Sequence, residues 1–478
     1  MTQFLDPLDS AFILLEVPGS AMNIGAVIEL DFGQVSDPKD RYELIRKNIE
    51  DRLHEIPVLT QRIVRAPFDI TWPILVPETK FDIDRHVVRV ALPTPGTPDQ
   101  FDAMISEFLS RPLSPKRPLW QLLVIEGLDD GRAAVALKVH HALADGVSGA
   151  ETFASLFDIS PEVRAPAPRA ASTESDAATV ITSFGLVREG VQRVLARPLT
   201  VFESIGSWVT RLFTIGRAGV NVIVMHRRHR ATPGQPSIFE ARRTSLNGAP
   251  GVEKEFHRLR LPLADVKRAA KSRGASITDV VMSSASGALR RLLLDRGEVL
   301  KRDLIAFVPI NVRGEGDAAQ LGNQISGMLV ALHTDIADAN ERLDAIAKDS
   351  STTAGVQREA RARMLQDIPR VIGPTLLSLG GKLISEFGLF DRVPPIANVM
   401  LSSVAGPPIP LWLSGHRVVS AAPVGPLIGS LSLNITVLGM GENLEFGLLG
   451  CAERLHDLAT LREYLLDEVQ WLIDATPT

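Results

Sequence analysis

Two imidazoles and a carboxylate stand within one seven-residue run, His140-His141-Ala142-Leu143-Ala144-Asp145-Gly146. An unperturbed imidazole titrates near neutral pH and can take a proton from a hydroxyl. The segment before the run, 133–139, is mostly apolar and reads as a buried strand; the segment after it, 147–157, reads as a helix. The histidines therefore fall in a tight strand-to-helix turn, where a rigid scaffold can present side chains to a ligand. Gly146 relieves the backbone strain of such a turn. A lone His at a strand end is usually packed or solvated, and an HxxxD spacing arises often by chance. The doubled His with its Asp-Gly ending is more specific and marks the turn as a candidate catalytic site.

The elements that must position this turn alternate between strands and helices. Strand-like segments cover 24–32, 70–76, 86–92, 122–126 and 133–139, and helical ones 40–54 and 100–109. Residues 161–178 are rich in Pro, Ala, Ser and Thr and read as a linker. Residues 180–224 carry amphipathic helical patterns, with Phe184, Leu186, Val187, Val191, Val194 and Leu195 on one side. The basic cluster His226-Arg227-Arg228-His229-Arg230 follows. It reads either as a solvated helix end or as a contact to anionic headgroups or cofactor phosphates. Beyond 251, helices are expected at 263–272, 278–294, 339–349, 357–365 and 455–472. Strands are expected at 304–309, 396–403, 416–421, 431–438 and 444–449. Ser276 or Thr278 can cap the second helix, with Asp279 in its first turn. This organisation is an α/β, α+β layered architecture: 1–160 carries the His turn, 161–250 is a linker and helical crossover, and 251–478 is a second domain.

Bulk properties narrow the function classes. A chain of 478 residues exceeds one hydrophobic core, so two domains are the natural expectation. A net charge of -5 gives no reason to expect nucleic acid as a partner. The single cysteine, Cys451, precludes an internal disulfide and suits reducing, cytoplasmic surroundings; it reads as a packed small hydrophobe. The N-terminus has early acids and no basic segment of a secretory signal. Two uncharged stretches, 393–415 and 418–441, are long enough to suggest membrane spans. Pro394, Pro395, Pro407, Pro408 and Pro410 interrupt the first, and Pro423 and Pro426 the second, so buried strands separated by turns are the better reading. No metal-ligand spacing stands out, so no metal is expected.

Taken together the motifs resemble the bacterial wax ester synthase/acyl-CoA:diacylglycerol acyltransferases over nearly the whole chain. The resemblance rests on Pro7-Leu8-Asp9-Ser10-Ala11-Phe12, Pro118-Leu119-Trp120, the HHxxxDG residues 140–146 and Thr244-Ser245-Leu246-Asn247-Gly248. It extends through 261–267, Val308-Pro309-Ile310-Asn311-Val312-Arg313, Gly322-Asn323-Gln324-Ile325-Ser326 and Leu433-Asn434-Ile435-Thr436. HHxxxDG is shared with peptide-synthetase condensation domains; the other elements narrow the match. The chain departs from the family at Thr278-Asp279, where Asn-Asp is usual, and at 402–407, where a TNVPGP-like segment is common.

The resemblance implies two chloramphenicol-acetyltransferase-like domains with the His turn at their interface. It implies acyl-CoA as the donor substrate, with no permanently bound cofactor, and a diacylglycerol or long-chain alcohol as acceptor. His141 is then the general base, His140 a supporting residue, and Asp145 a loop-structuring acid paired with an arginine, Arg62 or Arg313. Thr278 and Asn311 are candidate polar donors near the reacting centre; capping and turn bonding are their plainer roles. Trp120 reads mainly as a packing anchor with a secondary effect on the acyl channel, and Asn434 and Thr436 as strand positions at the domain junction. Reversible attachment to a membrane or lipid-droplet surface through 180–230 is also expected. Two other readings remain: an HHxxxDG condensation-type acyltransferase with a carrier-bound donor, and a catalytically weak lipid-binding protein.

Overall fold

The computed structural model describes residues 3–33, 35, 37–143, 155–168, 236, 240–299, 302–311, 325–352 and 372–476. Asp145, Gly146, Arg313, the amphipathic segment 180–224, the basic cluster 226–230 and the expected helix 357–365 lie outside the described residues, as do most of 147–157 and 161–178.

In the first half the order is β1 (Gln3–Phe4), α1 (Pro7–Leu14), β2 (Asn23–Asp31), α2 (Pro38–Arg52), β3 (Gln61–Val64), β4 (Ile74–Pro77), β5 (Val87–Ala91), α3 (Pro98–Ser110), β6 (Trp120–Glu126) and β7 (Ala133–His140). The second half runs β8 (Lys254–Pro262), α4 (Leu263–Ser272), α5 (Ile277–Asp295), β9 (Ile305–Asn311), β10 (Ile325–Ala331), α6 (Ala339–Thr352), α7 (Pro374–Glu386), β11 (Val399–Val404), β12 (Trp412–Leu413), β13 (His416–Val424), β14 (Leu433–Met440), β15 (Asn443–Cys451) and α8 (Leu458–Asp474). Two six-stranded mixed sheets result, ordered β12-β13-β2-β7-β6-β5 and β10-β9-β11-β14-β15-β8, beside a small β1-β4-β3 sheet. The α/β layering expected from the sequence is present.

β7 shows why a mostly apolar run makes a central strand. All eight residues are buried. Ala133, Val135, Leu137 and Val139 face the cluster that holds Leu30, Ile45 and Ile49, whereas Ala134 and Ala136 face Phe101, Ile105 and Phe256. Both faces are covered, so no polar alternation survives in the sequence. The second face also gathers Ala422, Val424, Leu449 and Cys451, which makes it the layer where the two sheets meet. In the second half α5 is buried along most of its length and packs with α8, α6 and α4 over its own sheet. Ser276 caps α5 in a reciprocal box with Asp279, as its sequence suggested.

The compositional border at 251 is not a border between sheets. β12 and β13 come from the 251–478 segment but extend the first sheet, β13 pairing antiparallel with β2 from Arg417↔Asp31 to Val424↔Gly25. A strand at 416–421 is expected from the sequence; only long-range pairing decides which sheet receives it. The stretches 393–415 and 418–441 are strands and turns, and among the described residues no helix is long and apolar enough to cross a membrane.

Candidate active site

β7 carries the two imidazoles at its end, and neighbouring segments pin its backbone on both sides. The His140 N–H donates to the Leu119 carbonyl at 2.9 Å, and the His141 N–H to the Met22 carbonyl at 2.7 Å. The chain then makes a single 3-10 turn, His141–Leu143, with Ala142 and Leu143 buried.

The two rings have different surroundings. His140 is 2% exposed. Its Nδ1 accepts the Ala142 N–H at 3.2 Å, and its Nε2 lies 3.3 Å from Glu16 Oε2. Acceptance at Nδ1 leaves Nε2 to carry the proton of a neutral ring and donate it to the Glu16 carboxylate. Glu16 thus holds His140, and His140 holds the first turn after it. His141 keeps some accessible surface. Its ring lies against Phe12, with centroids 4.2 Å apart and planes inclined by 37°. Its Nδ1 is sealed from solvent and without a hydrogen-bond partner. Burial, with a smaller effect of His140, pushes the His141 pKa down to about 4. The near-neutral titration expected for a turn imidazole is therefore corrected: the enclosure penalises the charged form and keeps the ring neutral at pH 7.

Phe12 belongs to the N-terminal motif, and Glu16 follows the helix that carries it. Asp6 caps α1 by accepting the Leu8 N–H at 2.9 Å, and Pro7 occupies the first helical turn. The signature of a helix start was present in Asp6-Pro7, but nothing local indicated that this helix would reach the histidines. Glu16, beyond its end, had no sequence signal at all.

Lys138 lies two residues before His140 and is fully buried. Its Nζ donates to the carbonyls of Phe108 and Arg111 at 2.5 and 2.6 Å, at the end of α3. Burial lowers its pKa to about 8. Beyond the described gap, Arg52 makes a buried ion pair with Asp158 at 2.8 Å and donates to the Leu156 carbonyl at 3.1 Å, which ties 156–158 to α2.

The other expected site residues are dispersed. The Trp120 indole donates to the Leu59 carbonyl at 2.8 Å and stacks on His86 at 4.7 Å, an anchoring role. Its backbone partner in β7 is Val139. Thr278 sits in the first turn of α5 behind the Ser276 cap, and among the described residues no hydrogen bond joins it to the His turn. Asn311 ends β9 opposite Ile325. Arg62 pairs with Glu78 at 3.2 Å. Asn434 donates to the Pro426 carbonyl at 2.8 Å and accepts from the Thr436 hydroxyl at 2.7 Å. Gly425 lies directly over this pair, since a Cβ there would fall 2.4 Å from Asn434 Oδ1. The pair therefore seats the end of β13 on the second sheet, the junction role expected of it. Cys451 is buried and its thiol pKa is raised, first by burial, as befits an unreactive packed side chain.

Charges also cross between the sheets. Arg258 of β8 donates to Asp102 of α3 at 3.0 Å and to Glu29 of β2. His257 bridges Asp102 at 3.2 Å and Glu255 at 2.8 Å. Burial alone would lower the His257 pKa, but the two carboxylates outweigh it and hold it at about 9. Elsewhere Asp303, His333 and Asp335 place three possible metal-ligand atoms within 4.8 Å of one another, a grouping that their sequence separation concealed.

Residues 5–281 match the family model for the wax ester synthase/diacylglycerol acyltransferase catalytic domain, and 321–472 the model for the C-terminal domain of the same family. A Mycobacterium tuberculosis protein provisionally named a diacylglycerol O-acyltransferase is 30% identical over 458 residues, covering 95% of this chain and 87% of its own. Among solved structures, the wax ester synthase/diacylglycerol acyltransferase from Marinobacter aquaeolei VT8 shares the fold with a TM-score of 0.67 at 24% identity, covering 98% of each chain. The first condensation domain of the CDA synthetase gives 0.54 at 17% identity, covering 100% of this chain and 98% of that one.

Proposed function

This chain belongs to the wax ester synthase/diacylglycerol acyltransferase family and is an acyltransferase; from that premise we propose that it moves a long-chain acyl group from acyl-CoA to the hydroxyl of a diacylglycerol, with long-chain alcohols as further acceptors. His141 is the base. The acceptor oxygen attacks the thioester carbonyl carbon while its proton passes to the imidazole. The tetrahedral intermediate collapses, the carbon–sulfur bond breaks, and the imidazolium returns the proton to the CoA thiolate. The products are an ester and free CoA thiol, and no acyl-enzyme forms. General-base assistance of this kind contributes ~10²–10⁴ in rate; positioning of the two substrates and oxyanion stabilisation supply the rest.

One observation carries this reading: a neutral, partly accessible imidazole on a backbone pinned from both sides. A ring already deprotonated can accept a proton without first losing one. His140 and Glu16 aim the turn, Asp145 structures the loop through an arginine, and Gly146 permits its sharp bend. Thr278 and Asn311 are not assigned a step. Because the acceptor is a lipid, the enzyme works at a membrane or lipid-droplet surface as a peripheral protein.

The test uses purified full-length protein, radiolabelled palmitoyl-CoA and either dioleoylglycerol or hexadecanol in mixed micelles, with products separated by thin-layer chromatography. Labelled triacylglycerol with matching CoA release is expected. Release of fatty acid alone, or ester formation only from a carrier-bound donor, would overturn the proposal.

A further inference from the structure

An apolar cavity of about 310 Å³ opens between the end of α7, the segment 389–397 and the loop 428–431, a size typical of small-molecule sites. Phe307, Ile384, Phe390, Ile396, Ile428 and Leu431 contribute to its wall. Among the described residues no charged side chain lines it, and Ser430 brings a side-chain hydroxyl.

Two short connections lead from this cavity to the His turn. α7 packs on α1 through Leu377 against Ala11 and Leu14, and α1 carries Phe12, whose ring lies on His141. On the other side, the Leu427 carbonyl accepts the Ser20 hydroxyl at 3.3 Å. Ser20 precedes Met22, whose carbonyl receives the His141 N–H. The outer surface nearby is apolar as well. Leu379 and Leu383 of α7 and Phe387 at its C-cap, spaced four apart, are exposed, as are Val393 and Ile396 of the cavity wall. An exposed apolar patch around a pocket marks an interaction with something itself apolar.

The lining does not suit the polar end of the donor, because CoA carries phosphates and the described residues of this wall offer no cation. A hydrocarbon chain suits it, and the apolar rim suits a chain that arrives from a lipid phase. We propose that this cavity seats one fatty acyl chain of the diacylglycerol acceptor, entering past the exposed stripe of α7. The proposal rests on the acceptor assigned above.

Photolabelling of the full-length protein tests it. A dioleoylglycerol analogue with a diazirine at the end of one chain is irradiated with the enzyme in mixed micelles, and a diazirine-tipped palmitoyl-CoA serves as the donor arm. Peptide mapping is expected to place the acceptor label within 384–397 or 428–431, displaced by plain dioleoylglycerol, and the donor label elsewhere. In parallel, Ile396→Trp, at a surface position that tolerates bulk, should raise KM for dioleoylglycerol roughly tenfold and leave KM for palmitoyl-CoA unchanged. Acceptor label confined to other peptides in an enzyme that turns the probe over would overturn the cavity assignment alone, as would donor label in these peptides. Absence of triacylglycerol from any acceptor mixture would instead overturn the acceptor reading, and this one with it.

Discussion

His141 at the end of β7 and His257 in β8 both lose water around the ring, yet they end in opposite charge states. His141 has Phe12 on its face and no carboxylate bonded to its ring among the described residues, and burial brings its pKa down to about 4. His257 sits between Asp102 and Glu255, and its pKa rises to about 9. Burial acts alike on both rings; carboxylates within hydrogen-bonding distance decide the outcome. At the His turn, among the described residues, the carboxylate of Glu16 reaches His140 instead of His141. The turn thereby gains a fixed geometry without charging the ring proposed as the base. At the seam between the sheets the same side chain becomes a cation that holds two acids in place.

The sharpest way to break this contrast is His141→Ala. Triacylglycerol formation should fall by ~10²–10⁴, with the circular dichroism spectrum and melting temperature retained; an unchanged rate would remove the imidazole from the reaction. Glu16→Ala comes next. It frees His140 and loosens the turn, and kcat should drop roughly 10–100-fold, by analogy with carboxylates that orient metal-bound histidines. KM should change little, and Glu16→Gln should recover part of the loss, because its amide oxygen still accepts from Nε2–H.

A pH profile refines the comparison. Protonation of His141 is half complete only near pH 4, so kcat/KM should show no acidic midpoint from this ring between pH 8 and 5; a limb centred near 6.5 would mean the enclosure is not maintained in the working enzyme. The smallest effects are on stability and have opposite signs. The unfolded chain takes up a proton at His141 near pH 6.5 and the folded chain resists until about 4, so this ring's contribution to stability declines as pH falls through that window. The contribution of His257 is complete below about 6.5 and is lost as pH rises through 9. Urea midpoints of the wild type and His257→Gln from pH 6 to 10 should converge toward the alkaline end.

Much of the scaffold was legible. The strand 133–139, the capped helix after Ser276 and the long C-terminal helix follow from apolar runs and end signals that act over a few residues. β8 was not recognised, and the reason lies in its charges. His257, Arg258 and Arg260 break up the apolar pattern by which a strand is recognised, and they are tolerated at this sheet edge because Glu29, Asp102 and Glu445 arrive from other elements. β10 and α7 were also missed: Gly327 in β10 and Gly380-Gly381 in α7 are residues that ordinarily weaken a strand or a helix. For the site, the paired histidines were evident, whereas Phe12 and Glu16 were not, since their relation to the turn depends on where α1 packs.

What the sequence alone determined is local: an apolar strand ending in two imidazoles, helices with defined caps, no cysteine partner for Cys451, and motifs that narrow the family. What only the tertiary structure decided is which imidazole stays neutral, which acid steadies its neighbour, and that β13 completes the sheet of β2. Backbone preference and capping act between residues a turn apart, but a pKa and a strand's choice of sheet depend on groups brought together from distant parts of the chain.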